Sequence, residues 1–186
     1  MRHVEQQPRL AWGITGSGHF LRECLAIATQ LDGVDLFLSR AAAEVMNMYG
    51  HDVSSLRQSI RVYTDNTASA VPVGLFYHGY YHTVVVAPAT SNTVAKCVWG
   101  VSDTLVTNIF AQAGKCRIPS IVFACDTEPV MITEAPDREV TVYPRRVDLE
   151  NTEKLSRFEH TNVVTTLPAL SNAVEERMRC LSTCYS

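Results

Sequence analysis

No Cys-x-x-Cys pair occurs in this chain, although it carries six cysteines. Zinc-ribbon and ferredoxin spacings are absent with it, which removes small thiolate metal sites and iron–sulfur clusters. Cys180 and Cys184 stand one helical turn apart, but two ligands alone make a poor metal site, so none is expected. No apolar run reaches the ~20 residues that a membrane span needs. The opening MRHVEQQPRL lacks the apolar core of an export signal. A disulfide framework is therefore not expected, and the cytoplasm is the expected compartment. Basic runs are missing as well: Arg145-Arg146 is the one adjacent pair, and the net charge is −3. That balance offers nothing to nucleic acid or to an acidic membrane surface. Internal repeats and low-complexity linkers are also lacking.

What is present fits one globular unit. With 186 residues, 46% hydrophobic and 19% charged, residues 1–186 are expected to form a single domain with a full core. Residues 10–15 read as a buried strand. Leu21, Cys24, Leu25, Ala28 and Leu31 then recur at helical spacing until Gly33. VDLFLS (34–39) is a second strand, and AAAEVMNMY (41–49) a second helix ended by Gly50. This alternation marks a parallel sheet with right-handed crossovers. Residues 51–80 are less regular and predict a short strand plus a surface excursion. TVVVAP (83–88) is a central strand stopped by Pro88, followed by a helix that starts at TSNT. SDTLVTNIFAQAG predicts another helix with Ser102 or Asp103 as N-cap. PSIVFAC (119–125), EVTVY and NVVTT read as further strands. Between the last two lies a helix supported by Glu150–Lys154 and Glu153–Arg157 pairs. Leu170, Val174, Met178 and Leu181 give the closing helix its apolar stripe. Cys24 and Cys97 read as small buried hydrophobes. The fold expected is a doubly wound, mostly parallel α/β sheet with helices on both faces.

Between the first strand and first helix stands Thr15-Gly16-Ser17-Gly18, a turn of small residues that aims backbone N–H groups and a helix end at one spot. That is the chemistry of an anion site. A dinucleotide fingerprint needs a third glycine, but Leu21 occupies that position. It also needs an acid at the end of the second strand, where Ser39 and Arg40 stand instead. A Walker loop would need Gly-Lys-Ser/Thr, which is missing. Ser39 can add a hydroxyl to the same phosphate, which favours a mononucleotide. A second turn, Pro88-Ala89-Thr90-Ser91-Asn92-Thr93, ends the central strand. In a doubly wound sheet these two strand ends flank the crevice where ligands bind. The hydroxyl and amide groups of residues 90–93 suit the polar edge of a flavin ring, although Ser91 and Thr93 also suit helix capping.

GITGSG, LSRAA and VVVAPATSNTVAKCVWGVSDTLVTN together resemble the FMN-binding flavoproteins related to the homo-oligomeric cysteine decarboxylases. The resemblance covers most of residues 10–125. The stretch CDTEPVMITEAPDREVTVYPRRVDLENTEKLSRFE is most similar to the acceptor-type dihydromethanopterin reductases and nearby archaeal flavoproteins. Two departures set the chain apart from the decarboxylases. Gly74 stands where their catalytic histidine belongs, with His78 and His82 out of register. Cys125-Asp126-Thr127-Glu128-Pro129 replaces their Pro-x-Met-Asn motif, and it echoes the Arg-Glu-Thr-Pro stretch of flavin prenyltransferases without the arginine.

The resemblance implies FMN, with Thr15, Gly16, Ser17, Gly18 and Ser39 at its phosphate and Pro88 to Thr93 along its ring. It implies a homo-oligomer, trimer-based and extending to a larger shell, whose subunit contacts complete the pocket. The activity implied is hydride transfer from reduced FMN to a dihydropterin, dihydromethanopterin first, within tetrahydromethanopterin and one-carbon metabolism. Electrons would come from an external donor, NAD(P)H or a redox protein. Asp126, Glu128 and His82 are candidate proton donors, and no catalytic residue is assigned. Arg145 and Arg146 are candidates for an anionic tail or for a solvated loop. Phe76, Tyr77, Tyr80 and Tyr81 suit ring stacking or a core equally well. The alternatives are a non-catalytic flavin or electron carrier, a flavin prenyltransferase, and a cysteine-decarboxylase-like enzyme.

Overall fold

The computed structural model describes residues 8–65 and 70–184; residues 1–7 and the side chains of Leu181 and Cys184 lie outside that description. In chain order come β1 (Arg9–Ile14), α1 (Leu21–Gln30), β2 (Val34–Leu38), α2 (Arg40–Met48), α3 (Val53–Leu56) and β3 (Arg61–Thr64). Then follow α4 (Ala70–Gly74), a 3-10 turn (Leu75–His78), β4 (Tyr81–Ala89), α5 (Ser91–Trp99), α6 (Leu105–Lys115) and β5 (Ser120–Ala124). The chain continues through β6 (Met131–Glu134), β7 (Glu139–Val142), α7 (Arg146–Leu155), β8 (Thr161–Val164) and α8 (Leu167–Cys184). A six-stranded sheet runs β3-β2-β1-β4-β5-β8, with every neighbouring pair parallel. The expected doubly wound α/β architecture is the observed one.

Continuous apolar strands explain the two-sided burial, because a parallel sheet covered by helices has no wet face. All five residues of β2 are buried, as are all five of β5. Successive side chains alternate between two cores. Trp12, Leu36, Leu38 and Phe123 pack with Leu21 and Leu25 of α1, Met46 of α2 and Leu170 of α8. Phe37, Val84, Val86 and Val122 pack with Val94 of α5, Ile109 of α6 and Leu155 of α7. Thus the helix after β1 covers one face and the helix after β4 the other. The crevice between these adjacent strands is the topological switch point. The buried Trp12 indole donates to the Ala87 carbonyl at 2.7 Å, which fastens the two strands near that crevice.

Several local expectations change. Pro88 does not stop β4; the strand runs on to Ala89, which pairs with Ala124 after a shift in register. Thr104, rather than Ser102 or Asp103, caps α6, since Thr104 and Thr107 exchange reciprocal capping bonds. EVTV belongs to a separate antiparallel hairpin with β6, outside the main sheet. Glu150 bonds Arg146 at 2.6 Å instead of Lys154, whose ammonium lies 3.9 Å from the Trp99 ring centroid. The Glu153–Arg157 pair forms as expected, and Cys24 and Cys97 are buried. Among the described residues no helix is long and apolar enough to cross a membrane, and no cluster of metal ligands forms.

Two polar groups lie at the amino edge of the sheet, away from the crevice. Asp35, fully buried on β2, accepts from Arg9 Nε at 2.8 Å and from the Tyr81 hydroxyl at 2.8 Å, with Arg61 3.6 Å away. Phe76 and Tyr81 are buried beside Phe37 in the same corner, so these rings serve the core. Near the start of β4, His82 meets the Thr83 hydroxyl at 2.8 Å, and burial with help from Arg177 lowers its imidazole to about 4. An unfolded histidine titrates near 6.5, so between pH 6.5 and 4 the unfolded chain binds a proton that the folded chain refuses. Stability is therefore expected to fall as pH drops through that window. His82→Gln should flatten this part of the curve by about 1–2 kcal/mol, discounted for partial exposure. Denaturant titrations of both proteins at pH 7 and pH 5 check it.

Candidate functional site

Three turns converge at the carboxyl edge of the central strands: residues 15–20 after β1, residues 90–91 after β4, and residues 125–127 after β5. Thr15 joins the first two. Its hydroxyl donates to the Pro88 carbonyl at 2.7 Å and accepts from the Thr90 N–H at 2.9 Å, and its own N–H reaches Pro88 at 3.3 Å. The side chain is 1% exposed. A threonine hydroxyl has one proton to give. Thr15 is thus a fastening between the turns, in place of the expected hydroxyl donor to an anion.

The glycines hold the first turn against α2. A Cβ on Gly16 would stand 2.6 Å from the Ala41 Cβ, and one on Gly18 would stand 2.1 Å from the Tyr49 hydroxyl oxygen. Their want of a side chain serves helix packing here. Phe20 takes a left-handed conformation at the entry to α1 and offers no side-chain cap. Among the described residues, the N–H groups of Gly16, Gly18 and His19 have no acceptor. Three such N–H groups ahead of a helix N-terminus supply the donors of an anion cradle. The Ser17 hydroxyl, nearly buried, reaches the His19 carbonyl at 3.2 Å. Ser39 caps α2 by accepting from the Ala42 N–H at 3.0 Å, and its hydroxyl proton remains available for donation.

On the second turn, Thr90 caps α5 by accepting from the Thr93 N–H, while its hydroxyl contacts that of Thr93 at 3.1 Å. Ser91 donates its hydroxyl proton to Asp126, which also accepts the Ser91 N–H at 3.4 Å. Asn92 is exposed. Cys125 follows β5, buried and bonded through its N–H to the Ala89 carbonyl at 3.0 Å. Burial pushes its thiol up to about 12, which leaves it protonated and unreactive. The His19 imidazole is lowered by burial, against the opposing pull of Asp126, Glu23 and Glu134. Tyr49 donates to the Glu134 carbonyl at 2.7 Å and ties the β6–β7 hairpin to α2.

All eleven residues expected at a nucleotide thus come to one edge of the sheet. The candidate proton donors do not. Asp126 is here, Glu128 is exposed in the loop beyond it, and His82 lies at the opposite edge. Arg145 and Arg146 sit at the start of α7, paired with Asp148 and Glu150. Sequence reading missed His19, Cys125 and Tyr49. Only Cys125 carried a local signal, its place at the end of a buried strand.

Comparison with known proteins points the same way. The profile of the family described as Flavoprotein matches residues 1–184. The crystal structure of Burkholderia xenovorans DmrB in complex with FMN, described as a cubic protein cage for redox transfer, superposes with a TM-score of 0.89. Its identity is 55%, over 96% of this chain and 99% of that one. A dihydromethanopterin reductase (acceptor) of Methanosarcina mazei is 39% identical over 69% of this chain, and the match spans 59% of the relative's length. The phenylacrylic acid decarboxylase of Aquifex aeolicus, at 24% identity and a TM-score of 0.60 over 85% of this chain and 81% of that one, shares the fold.

Proposed function

The chain belongs to the Flavoprotein family, and from that premise we propose that it is an FMN-dependent reductase that converts dihydromethanopterin, or a close dihydropterin, to the tetrahydro form. The observation that carries this reading is the cradle: unpartnered N–H groups at Gly16, Gly18 and His19 beside the Ser39 hydroxyl proton. Those groups suit a phosphate monoester, and the 55% identical DmrB was solved with FMN. When bound, FMN supplies two-electron hydride chemistry.

The chain's residues take the remaining tasks. Gly16 to His19, with Ser17 and Ser39, hold the phosphate, while Thr15 keeps Pro88 and Thr90 in register with them. Pro88, Ala89, Thr90, Ser91, Asn92 and Thr93 border the ring, and Asp126 fixes Ser91 by taking its hydroxyl proton. An external donor, NAD(P)H or a redox protein, supplies the electrons. The working form is a trimer-based cytoplasmic oligomer of one-domain subunits, extending to a shell like the cage described for DmrB.

Anaerobically reduced protein mixed with dihydromethanopterin in a stopped-flow instrument is expected to reoxidise at a rate that rises and saturates with pterin. Reoxidation untouched by any dihydropterin would mark the protein as an electron carrier instead. Thr15→Val keeps the shape of the side chain but strands the Thr90 N–H and leaves the Pro88 carbonyl only its longer bond from the Thr15 N–H. It is expected to cost about 1–3 kcal/mol of stability and to weaken flavin binding about tenfold. Thr15→Ser should restore both, as read by thermal melts and flavin fluorescence titration.

A further inference from the structure

A cavity of about 360 Å³ opens at the amino edge of the sheet, between the last turns of α5 and α6 and the chain leading into β8. It is remote from the cradle, since α5 carries Ser91 at one end and Lys96, Cys97 and Gly100 of the cavity wall at the other. Phe110, Ile118 and Phe158 give it apolar walls. Ser120 at its floor is 3% exposed, and its side chain points to the same face as Val122. The Ser120 N–H is held by the His160 carbonyl at 2.8 Å, but its hydroxyl has no partner among the described residues. No fully buried side-chain polar atom among the described residues lacks a partner, so this hydroxyl is open to the cavity, where a ligand group or water can reach it.

Charge at the mouth gives the ligand its sign. Lys96 is neutralised by both oxygens of Asp103, each at 2.8 Å. Lys115, Glu159 and His160 stand at the opening, Arg117 lines the adjoining depression that shares these three residues, and neither cation has an ion pair among the described residues. Two cations against one carboxylate leave a positive opening above an apolar, aromatic-walled space of the size that small-molecule sites have.

We propose that this cavity is a second small-molecule site, and that it takes a flat aromatic acid. The ring system lies among Phe110, Ile118 and Phe158, a polar atom meets the Ser120 hydroxyl, and the acid group faces Lys115 and Arg117. This site is independent of the flavin reading.

Calorimetric titration of the flavin-loaded protein with 2-naphthoate tests it. Saturable binding of one molecule per chain is expected. A Cβ on Gly114, an exposed α6 residue lining the cavity, meets nothing within 4 Å. The β-carbon of Gly114→Leu therefore meets no clash and the change favours the helix; a bulky side chain on the cavity wall should weaken binding at least tenfold with the melting temperature kept. Ser120→Ala and Lys115→Gln should each weaken binding about five- to tenfold, with flavin content unchanged. Absence of saturable binding in the parent, or undiminished binding in Gly114→Leu, overturns the proposal. So does a Gly114→Leu variant whose assembly mass by light scattering differs from the parent, because the cavity is then a contact between copies.

Discussion

Gly16→Ala is expected to weaken flavin binding about a hundredfold, some 2.7 kcal/mol. The added carbon would stand 2.6 Å from the Ala41 Cβ, a distance that non-bonded carbons do not tolerate. Neither partner has a flexible end to swing away, so the backbone of the first turn or of α2 must retreat. Retreat displaces the N–H groups of Gly16, Gly18 and His19 that form the cradle. Overpacking of this kind costs about 1–3 kcal/mol of stability as well. Ala41 is exposed on the first turn of α2, so its own truncation to glycine costs only about 1 kcal/mol of helix propensity. Gly16→Ala with Ala41→Gly removes the opposing methyl and should recover most of the affinity. If the double variant binds flavin no better than the single one, the close approach to α2 is not what requires glycine. A Cβ on Gly18 would meet the hydroxyl, Cζ and Cε2 of Tyr49, and that ring can swing away only by giving up its bond to the Glu134 carbonyl.

Asp35→Ala is expected to destabilise the fold by about 3 kcal/mol, the largest effect on stability outside the hydrophobic core. Removing the carboxylate takes away the acceptor of the hydroxyl of Tyr81, a residue 2% exposed, and leaves the Arg9 guanidinium only the Val34 carbonyl. The arginines keep part of their hydration, since the Arg9 and Arg61 side chains are 28% and 50% exposed. That exposure sets the expectation at the low end for a broken buried pair. For a chain of this length the melting temperature should drop by roughly 6–12 °C. Flavin affinity of the folded protein should hold, because the network lies at the edge of the sheet opposite the cradle. A drop under 2 °C would mean that Asp35 contributes no more than an ordinary surface charge.

The two strand-end turns were legible because each breaks a strongly apolar strand with small polar residues. Leu21 and Ser39 weighed against the dinucleotide reading by their identity, and the missing Gly-Lys-Ser/Thr weighed against a Walker loop. Thr15 stood out by its place in the first turn, but its bonding did not. A hydroxyl near a glycine turn reads as a donor to phosphate until the distance to Pro88, 73 positions away, becomes known. Ser102 and Asp103 read as better N-caps than Thr104 by residue type. Reciprocal bonding with Thr107 decided for threonine, and a bond between side chains leaves no mark in local composition. His82 is polar in sequence and closes the aromatic stretch Tyr77–His82, yet β4 sets it half-buried at the edge of the sheet opposite the crevice.

The sequence by itself determined the doubly wound parallel sheet and the turn of small residues after β1. These follow from hydrophobic period and turn chemistry, which are properties of neighbours in the chain. Tertiary structure alone decided which turns meet, that Thr15 fastens them, that Asp126 holds Ser91 and that Ser120 faces a cavity. Those facts depend on contacts between strands and loops far apart in the chain. Their energies are set by distance and burial, which no local pattern encodes.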